Sequence, residues 1–232
     1  MPGDAILEGP ENHHLANVMR IQQGETITLF DGMGNKALGI LRQVGKRSSL
    51  VEVGKVDFQA GVLPIHLTVA TALPKGDRES FMVEKLTELG VQEIVPLQTH
   101  RSVVHPKDAQ SRLGRYSLEA CKQCGRNMLP LIREMTTFED FCKEDVDAAK
   151  WIMHPGSDPK IGPFGSADCQ FAKARVLIGP EGGFTDKESS DAIAKGFKIW
   201  SHTPNILRVE TAAITAASGF AALWAFQESR IR

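Results

Sequence analysis

Long apolar runs are missing from this sequence. The longest, Ala212–Phe226, is broken by Thr215, Ser218 and Gly219 and is shorter than the ~20 residues that a membrane-spanning helix needs. It reads as a buried helix, and no membrane partner is expected. The start, MPGDAILEGPENHH, has no cationic segment followed by an apolar core, so it does not read as a secretion signal. Cysteine is scarce: Cys121, Cys124, Cys142 and Cys169 are the whole complement, which fits a reduced, cytoplasmic chain. Cys121-x-x-Cys124 lies in YSLEACKQCGR, a stretch that reads as helix, and no second CxxC or spaced histidine pair completes a site. Packing is therefore the expected role of these thiols, and no metal is expected. Net charge is nearly absent too, −1 over 232 residues, so a nucleic-acid partner has to be judged from where the charges lie. What remains is the composition of an ordinary globular protein of roughly one to two domains.

The hydrophobic rhythm divides the chain. ENHHLANVMRIQQGE spaces Leu15, Val18 and Met19 at helical intervals and stops near Gly24. ETITLFDGMGNKALGIL then reads as a hairpin turning at Asp31–Asn35, and SSLVEVGKVDF as a further strand. Several short strands with one helix predict a small barrel-like module over residues 1–60. After a linker at Gln59–Pro64 the rhythm changes. IHLTVATAL is a near-continuous β-branched run, as expected of a strand buried on both faces. DRESFMVEKLTELG reads as a helix closed by Gly90, EIVPL as a strand, and AQSRLGRYSLEACKQCG as a helix. KWIMHPG, RVLIGPEGG and FKIWSH are further strands, with a helix over Thr185–Lys195 and a terminal helix over about Glu210–Phe226. Alternating strands and helices predict an α/β domain over residues 61–232, built on a mostly parallel sheet with helices on both faces.

Ligands bind such sheets at the carboxyl ends of the strands. Three loops fall there: His154-Pro155-Gly156, Gly179–Gly183 and His202–Arg208. If their strands are neighbours, the loops converge on one crevice. Gly179, Gly182 and Gly183 let backbone approach a ligand closely. The loop is neither a P-loop, since no Lys-Ser/Thr follows, nor GxGxxG, and Glu181 at its centre suits a cationic ligand better than a phosphate. A plain glycine-rich turn remains the alternative. Thr185 and Glu188 stand at the spacing of a capping box. Arg208 and Glu210 read either as a structural ion pair at a helix start or as site residues. The charge is unevenly placed: Gln98–Arg133 holds seven Lys/Arg (Arg101, Lys107, Arg112, Arg115, Lys122, Arg126, Arg133) against Asp108 and Glu119, with His100 and His105 besides. Such a zone suits RNA backbone, or is a solvated helix face.

Together IGPEGGF, PNILRVETAA, LPKGDRESFMVEKLTELGV and EACKQCGR resemble the motifs of the RsmE-type methyltransferases of the SPOUT superfamily. HHLANVMRIQQGETITLFDG is similar to their PUA-like RNA-binding domain, so the resemblance spans nearly the whole chain. It implies a C-terminal SPOUT domain with a deep trefoil knot, an exception to the usual unknotted topology, behind an N-terminal PUA-like β-barrel. It also implies S-adenosyl-L-methionine as cofactor and a homodimer with the small-residue terminal helix in the interface. The reaction it implies is methylation of N3 of a uridine in small-subunit (16S) ribosomal RNA. Carried over by motif, the cofactor-binding residues are His154 and Pro155, then Ile178, Gly179, Pro180, Glu181, Gly182 and Gly183, then Ser201, Ile206, Leu207, Arg208, Thr211 and Ala212. Lys75, Arg78, Arg101, Gln123 and Arg126 fall in motifs expected to face RNA or the site entrance, and Arg20 is expected to bind RNA. The sequence departs from the family pattern at His202-Thr203, Asn205 and His100, at Cys121 and Cys124, and in its N-terminal stretch.

Transfer to uridine N3 requires loss of the N3 proton and stabilisation of charge spreading to O2 and O4. Arg208 is the expected stabiliser of that oxyanion, with Glu210 orienting it or taking the proton. The sequence does not assign the base. Two other classes share these features: a methyltransferase acting on another RNA nucleotide, and a non-catalytic RNA-binding protein of the same fold.

Overall fold

The computed structural model describes residues 3–59, 63–102, 108–155, 162–163 and 171–231, with side chains described up to residue 223. Ala60–Val62 of the expected linker, His105 and Lys107 of the basic zone, Gly156 and Cys169 lie outside the described residues. The chain forms two compact units, Met1–Ala60 and Gly61–Arg232.

In the first unit, β1 (Gly3–Glu8), β2 (Thr26–Phe30), β3 (Asn35–Gln43) and β4 (Ser48–Phe58) form an antiparallel sheet in the order β1-β4-β3-β2. The hairpin turns where the sequence places it. Asp31 Oδ1 accepts from the backbone N–H of Met33 at 2.7 Å and of Asn35 at 3.1 Å, an Asx-type turn. The helix differs from expectation. α1 covers Gly9–His13, opened by Pro10, and passes into a π-helical turn over His14–Val18. Only Leu15 of the expected apolar stripe is buried, packing with Leu41 and Val51, while Val18 and Met19 are exposed. The wider π-turn rotates them off the core side. Buried Asn12 fixes the helix instead, donating to the Gly45 carbonyl and accepting from the Ser49 hydroxyl.

The second unit carries β5 (His66–Thr71), β6 (Glu93–Gln98), β7 (Leu131–Ile132), β8 (Thr136–Thr137), β9 (Ala149–Met153), β10 (Lys173–Ile178) and β11 (Lys198–Trp200). All are parallel, in the order β11-β9-β10-β5-β6-β7, with β8 also on β6. Successive strand residues point to opposite faces. Val69, Ile94, Val176 and Trp151 therefore join one core with α2 (Asp77–Glu88), α3 (Ala109–Cys124) and α6 (Val209–Ile231). Their neighbours Ala70, Val95, Leu177 and Ile152 join a second core with α4 (Phe138–Lys143) and α5 (Asp186–Ala194). The doubly buried strands and the two-faced helical cover expected from the sequence are both present. The small side chains of α6, Ala213, Ala216 and Ala217, are fully buried against this core. α3 ends at Gly125, which takes the left-handed conformation (φ 76°) that glycine favours. Cys121 is buried in α3, and burial pushes its thiol up to about 11. β7, β8 and α4 were not foreseen, although Thr137, whose hydroxyl accepts from the Asp140 N–H, is a capping signal for α4.

One charged network crosses the second core. Arg175 on β10 is buried and stacks over the Phe141 ring at 3.8 Å. Its Nη2 donates to Glu144 at 2.6 Å, and Glu144 also accepts from Arg133 at 2.6 Å.

Candidate active site

The sheet order makes β11, β9 and β10 neighbours, so their three carboxyl-end loops meet as required for a crevice. The His154 N–H donates to the Trp200 carbonyl at 3.1 Å, tying the ends of β9 and β11 together. Beyond them opens a cleft of about 360 Å³, within the range of small-molecule sites. From the β9 loop it is lined by Met153, His154 and Pro155, and from the β10 loop by Ile178 through Phe184. Trp200, Ser201, His202, Thr203, Asn205, Ile206 and Leu207 line it from the β11 loop, and Val209 and Ala212 from α6.

The GPEGG loop is a tight turn. The Gly183 N–H donates to the Pro180 carbonyl at 2.8 Å, and Gly183 has φ 68°. Glu181 therefore sits at the tip. A Cβ on Gly179 would lie 3.1 Å from the Phe184 ring, so glycine lets that ring close over the strand end. Two devices fix the turn. Arg101 Nη1 donates to the Gly182 carbonyl at 2.7 Å. Thr185 and Glu188 form the expected capping box, and Glu188 Oε1 also accepts from the His100 N–H at 2.8 Å. His100 and Arg101, from the basic zone, thus hold the loop.

Of the residues expected to bind cofactor, His154, Pro155, Ile178, Gly179, Pro180, Glu181, Gly182, Gly183, Ser201, Ile206, Leu207 and Ala212 all line the cleft. Arg208 and Thr211 do not; both are exposed. Arg208 stands just before α6, its carbonyl accepting from the Ala212 N–H at 2.8 Å, with its side chain turned to solvent between two lining residues. Glu210 is buried and faces Arg78 at 3.8 Å rather than pairing with Arg208. Arg78 also stands 3.4 Å from Glu181. Sequence reasoning missed Met153, Phe184, Asp186, Trp200 and Val209, which the fold brings in beside the expected loops, while His202, Thr203 and Asn205 lie in the expected loop without having been assigned to the cofactor.

The residues expected to face RNA separate. Lys75 and Arg78 line a second hollow beside the cleft, Gln123 is exposed on α3 and Arg20 is exposed in the first unit. Arg126 is a correction: it is buried, its guanidinium donating to the Thr87 and Val91 carbonyls at 2.8 Å each. It closes the C-terminal end of α2, where unpaired carbonyls and the helix dipole favour a cation. Arg126→Ala is expected to lower stability by about 2 kcal/mol, from loss of its two buried hydrogen bonds, the Thr87 carbonyl keeping the Gly90 N–H at 3.1 Å while the Val91 carbonyl loses the Arg126 donor, with the RNA affinity of the folded protein unchanged. Denaturant titration and RNA binding on one preparation check this; lost RNA affinity at unchanged stability would return Arg126 to the RNA face.

Comparison with known proteins agrees with this geometry. Residues 62–221 match the RNA methyltransferase domain family, and residues 7–54 the RNA methyltransferase PUA domain family. The ribosomal RNA small subunit methyltransferase E of Bacillus subtilis is 30% identical, over 91% of this chain and 87% of that protein. The protein of the same name from Synechocystis is 31% identical, over 91% and 70%. Among solved structures, the Neisseria gonorrhoeae ribosomal RNA small subunit methyltransferase E bound to S-adenosyl methionine superposes with a TM-score of 0.88, at 28% identity, over 96% of this chain and 93% of that one. A methyltransferase from Legionella pneumophila with bound cofactor SAM gives 0.83 at 32% identity, over 96% and 93%. Matched along both units, and with its cleft at the ends of β9, β10 and β11, the chain belongs to the ribosomal RNA small subunit methyltransferase E family.

Proposed function

We propose that this chain methylates N3 of a uridine in small-subunit (16S) ribosomal RNA, using S-adenosyl-L-methionine held in the cleft. The observation that carries the reading is a carboxylate, Glu181, at the tip of a glycine turn in a cleft that also offers apolar side chains, short polar side chains and loop backbone, with Arg101 and Asp186 as its other fully charged lining residues. The residues fit the cofactor. Ile178, Ile206, Leu207 and Ala212 offer an apolar seat for an adenine ring, and Ser201, Thr203 and the loop backbone offer polar partners. Glu181 offers a counter-charge to a cationic ligand. When bound, S-adenosylmethionine supplies an electrophilic methyl group on a sulfonium. The chain's part is to hold the base, favour departure of its N3 proton and balance the charge left on O2 and O4. Arg78, which faces both Glu181 and Glu210, is assigned to that charge, and the exposed Arg208 to the RNA over the cleft.

The residues 1–60 unit is proposed as the PUA-like, barrel-type RNA-binding module, and residues 61–232 as the methyltransferase domain. The latter is proposed to carry the trefoil knot: β10 inserts between β9 and β5, and after β11 the chain returns as α6 against β5 and β10. A homodimer and a cytoplasmic location complete the reading.

Calorimetric titration with S-adenosylmethionine should give heat and a raised melting temperature, and neither would appear for a protein that only binds RNA. Mass spectrometry of 16S ribosomal RNA from a strain lacking the gene should then reveal one missing methyl group, on uridine N3. A methyl group missing from another nucleotide, or from none, overturns the assignment.

A further inference from the structure

The GPEGG turn has two sides. β10 pairs with β5 so that Ile178 lies opposite Thr71, and the Ala72 N–H donates to the Ile178 carbonyl at 3.0 Å. The loops after β5 and β10 therefore run side by side. On the β5 side lies the second hollow, about 320 Å³, with Leu73, Lys75, Arg78 and Ser102 in its wall. Pro180 and Glu181 line both this hollow and the cleft. Glu181 is the charged group common to the two chambers.

The charges around this hollow are balanced but uncommitted. Arg78 stands 3.4 Å from Glu181 and 3.8 Å from Glu210, both longer than the usual N–H···O hydrogen bond. Glu210 Oε2 is buried without a hydrogen-bond partner among the described residues. A ligand can therefore take donors from Arg78 without breaking a formed bond, while Glu210 keeps the guanidinium in place. Uracil presents on its pairing edge an acceptor (O4), a donor (N3–H) and an acceptor (O2). The wall of the hollow carries the three groups that edge needs, two donors, Lys75 and Arg78, and one acceptor, Glu181. Cytosine reverses the first two groups: its amine would face a cation and its N3 lone pair a carboxylate. Cytosine would therefore set donor against donor and acceptor against acceptor at two of its three groups, a mismatch that a site hydrogen-bonding this edge disfavours.

We propose that this hollow seats the target uracil, with Glu181 accepting the N3–H hydrogen bond and Lys75 and Arg78 donating to its two carbonyls. The inference rests on the methyltransferase reading and names the residues that choose the base. A base reaching this hollow has left its stack, as enzymes acting on bases require. Two cations on the carbonyls and a carboxylate on N3–H together favour departure of that proton, at a residue that also lines the cofactor cleft.

The test uses nucleosides, which lack phosphate. Uridine and cytidine are titrated separately into the full-length ¹⁵N-labelled protein, with the Arg78 side-chain N–H and the Glu181 and Gly182 amides followed by NMR. Uridine should shift these signals and bind about tenfold tighter than cytidine or better. Glu181→Gln, whose amide both donates and accepts, should erase the preference while the melting temperature holds. Equal binding of both nucleosides, shifts confined elsewhere, or no shift with either overturns the proposal. Cofactor titration and ribosomal RNA methylation on the same preparation report the underlying reading separately: a protein that methylates RNA yet fails the nucleoside test keeps its function and loses this pocket.

Discussion

Glu144→Ala is expected to destabilise the protein by about 3 kcal/mol at neutral pH, the low end of the range for breaking a buried ion pair. The reason lies in what is left behind. The Arg175 side chain is only 4% exposed and lies over the Phe141 ring. Its Nη1 has no hydrogen-bond partner among the described residues, so the 2.6 Å bond from Nη2 to Glu144 carries its pairing. Arg133, the second partner of Glu144, is more exposed and retains Glu93 at 3.7 Å. Partial burial pushes the Glu144 carboxyl up, but hydrogen bonds and charge from Arg133 and Arg175 outweigh it and hold the group below its ordinary 4.5. The sign follows. A depressed carboxylate adds stability above its unfolded value and loses it as pH falls through the folded one. The deficit of the variant should therefore be full at pH 7, begin to shrink as pH falls below about 4.5, and vanish only below the lower folded value, where the native Glu144 is neutral too. Urea titrations across that range measure it. A second variant isolates the cause: adding Arg175→Met, which removes the stranded cation at similar volume, should recover most of the loss. A deficit that persists unchanged at low pH would place the effect in packing rather than charge.

This network also marks where the sequence stopped being readable. The parallel sheet was legible because β5 and β10 must be apolar on both faces, and five of six residues in each are buried. The cleft was legible because glycine, proline and short polar residues end three strands whose adjacency the topology supplies. Buried arginines were not. Arg126 sits in a basic zone and reads there like any surface cation; its partners are two backbone carbonyls 39 and 35 residues away, which leave no mark in a sequence. Arg175 is hidden in a strand by the same logic, its partner 31 residues earlier. Glu210 was tied to Arg208 by nearness in the chain, whereas the fold turns Arg208 outward and presents Glu210 to Arg78. β7 and β8, two residues each, are too short to have a period at all.

Arg78→Ala and Arg208→Ala should separate these two cations by kinetics. Arg78 faces the shared carboxylate and is assigned to charge that grows only as N3 loses its proton, so its loss should lower kcat about 10²–10³-fold with the KM for RNA changed far less. Arg78→Lys should restore only part, because an ammonium keeps the charge but not the two-pronged donor. Arg208 is exposed and pairs with nothing among the described residues, which suits a phosphate contact. Its removal should raise the KM for RNA by up to about tenfold, leave kcat nearly unchanged, and flatten the salt dependence of binding. Cofactor affinity, measured by titration without RNA, should be little altered in either variant. The opposite pattern, with Arg208→Ala losing kcat as Arg78→Ala was expected to, would mean that RNA draws Arg208 over the cleft and that the oxyanion is stabilised from α6 rather than from α2. Glu210 decides between the two arrangements independently. If it serves to hold Arg78, Glu210→Gln should reproduce a milder form of the Arg78→Ala defect in a background where Arg208→Ala adds its KM effect on top. Independent effects multiply in this way because the two residues then act on different steps.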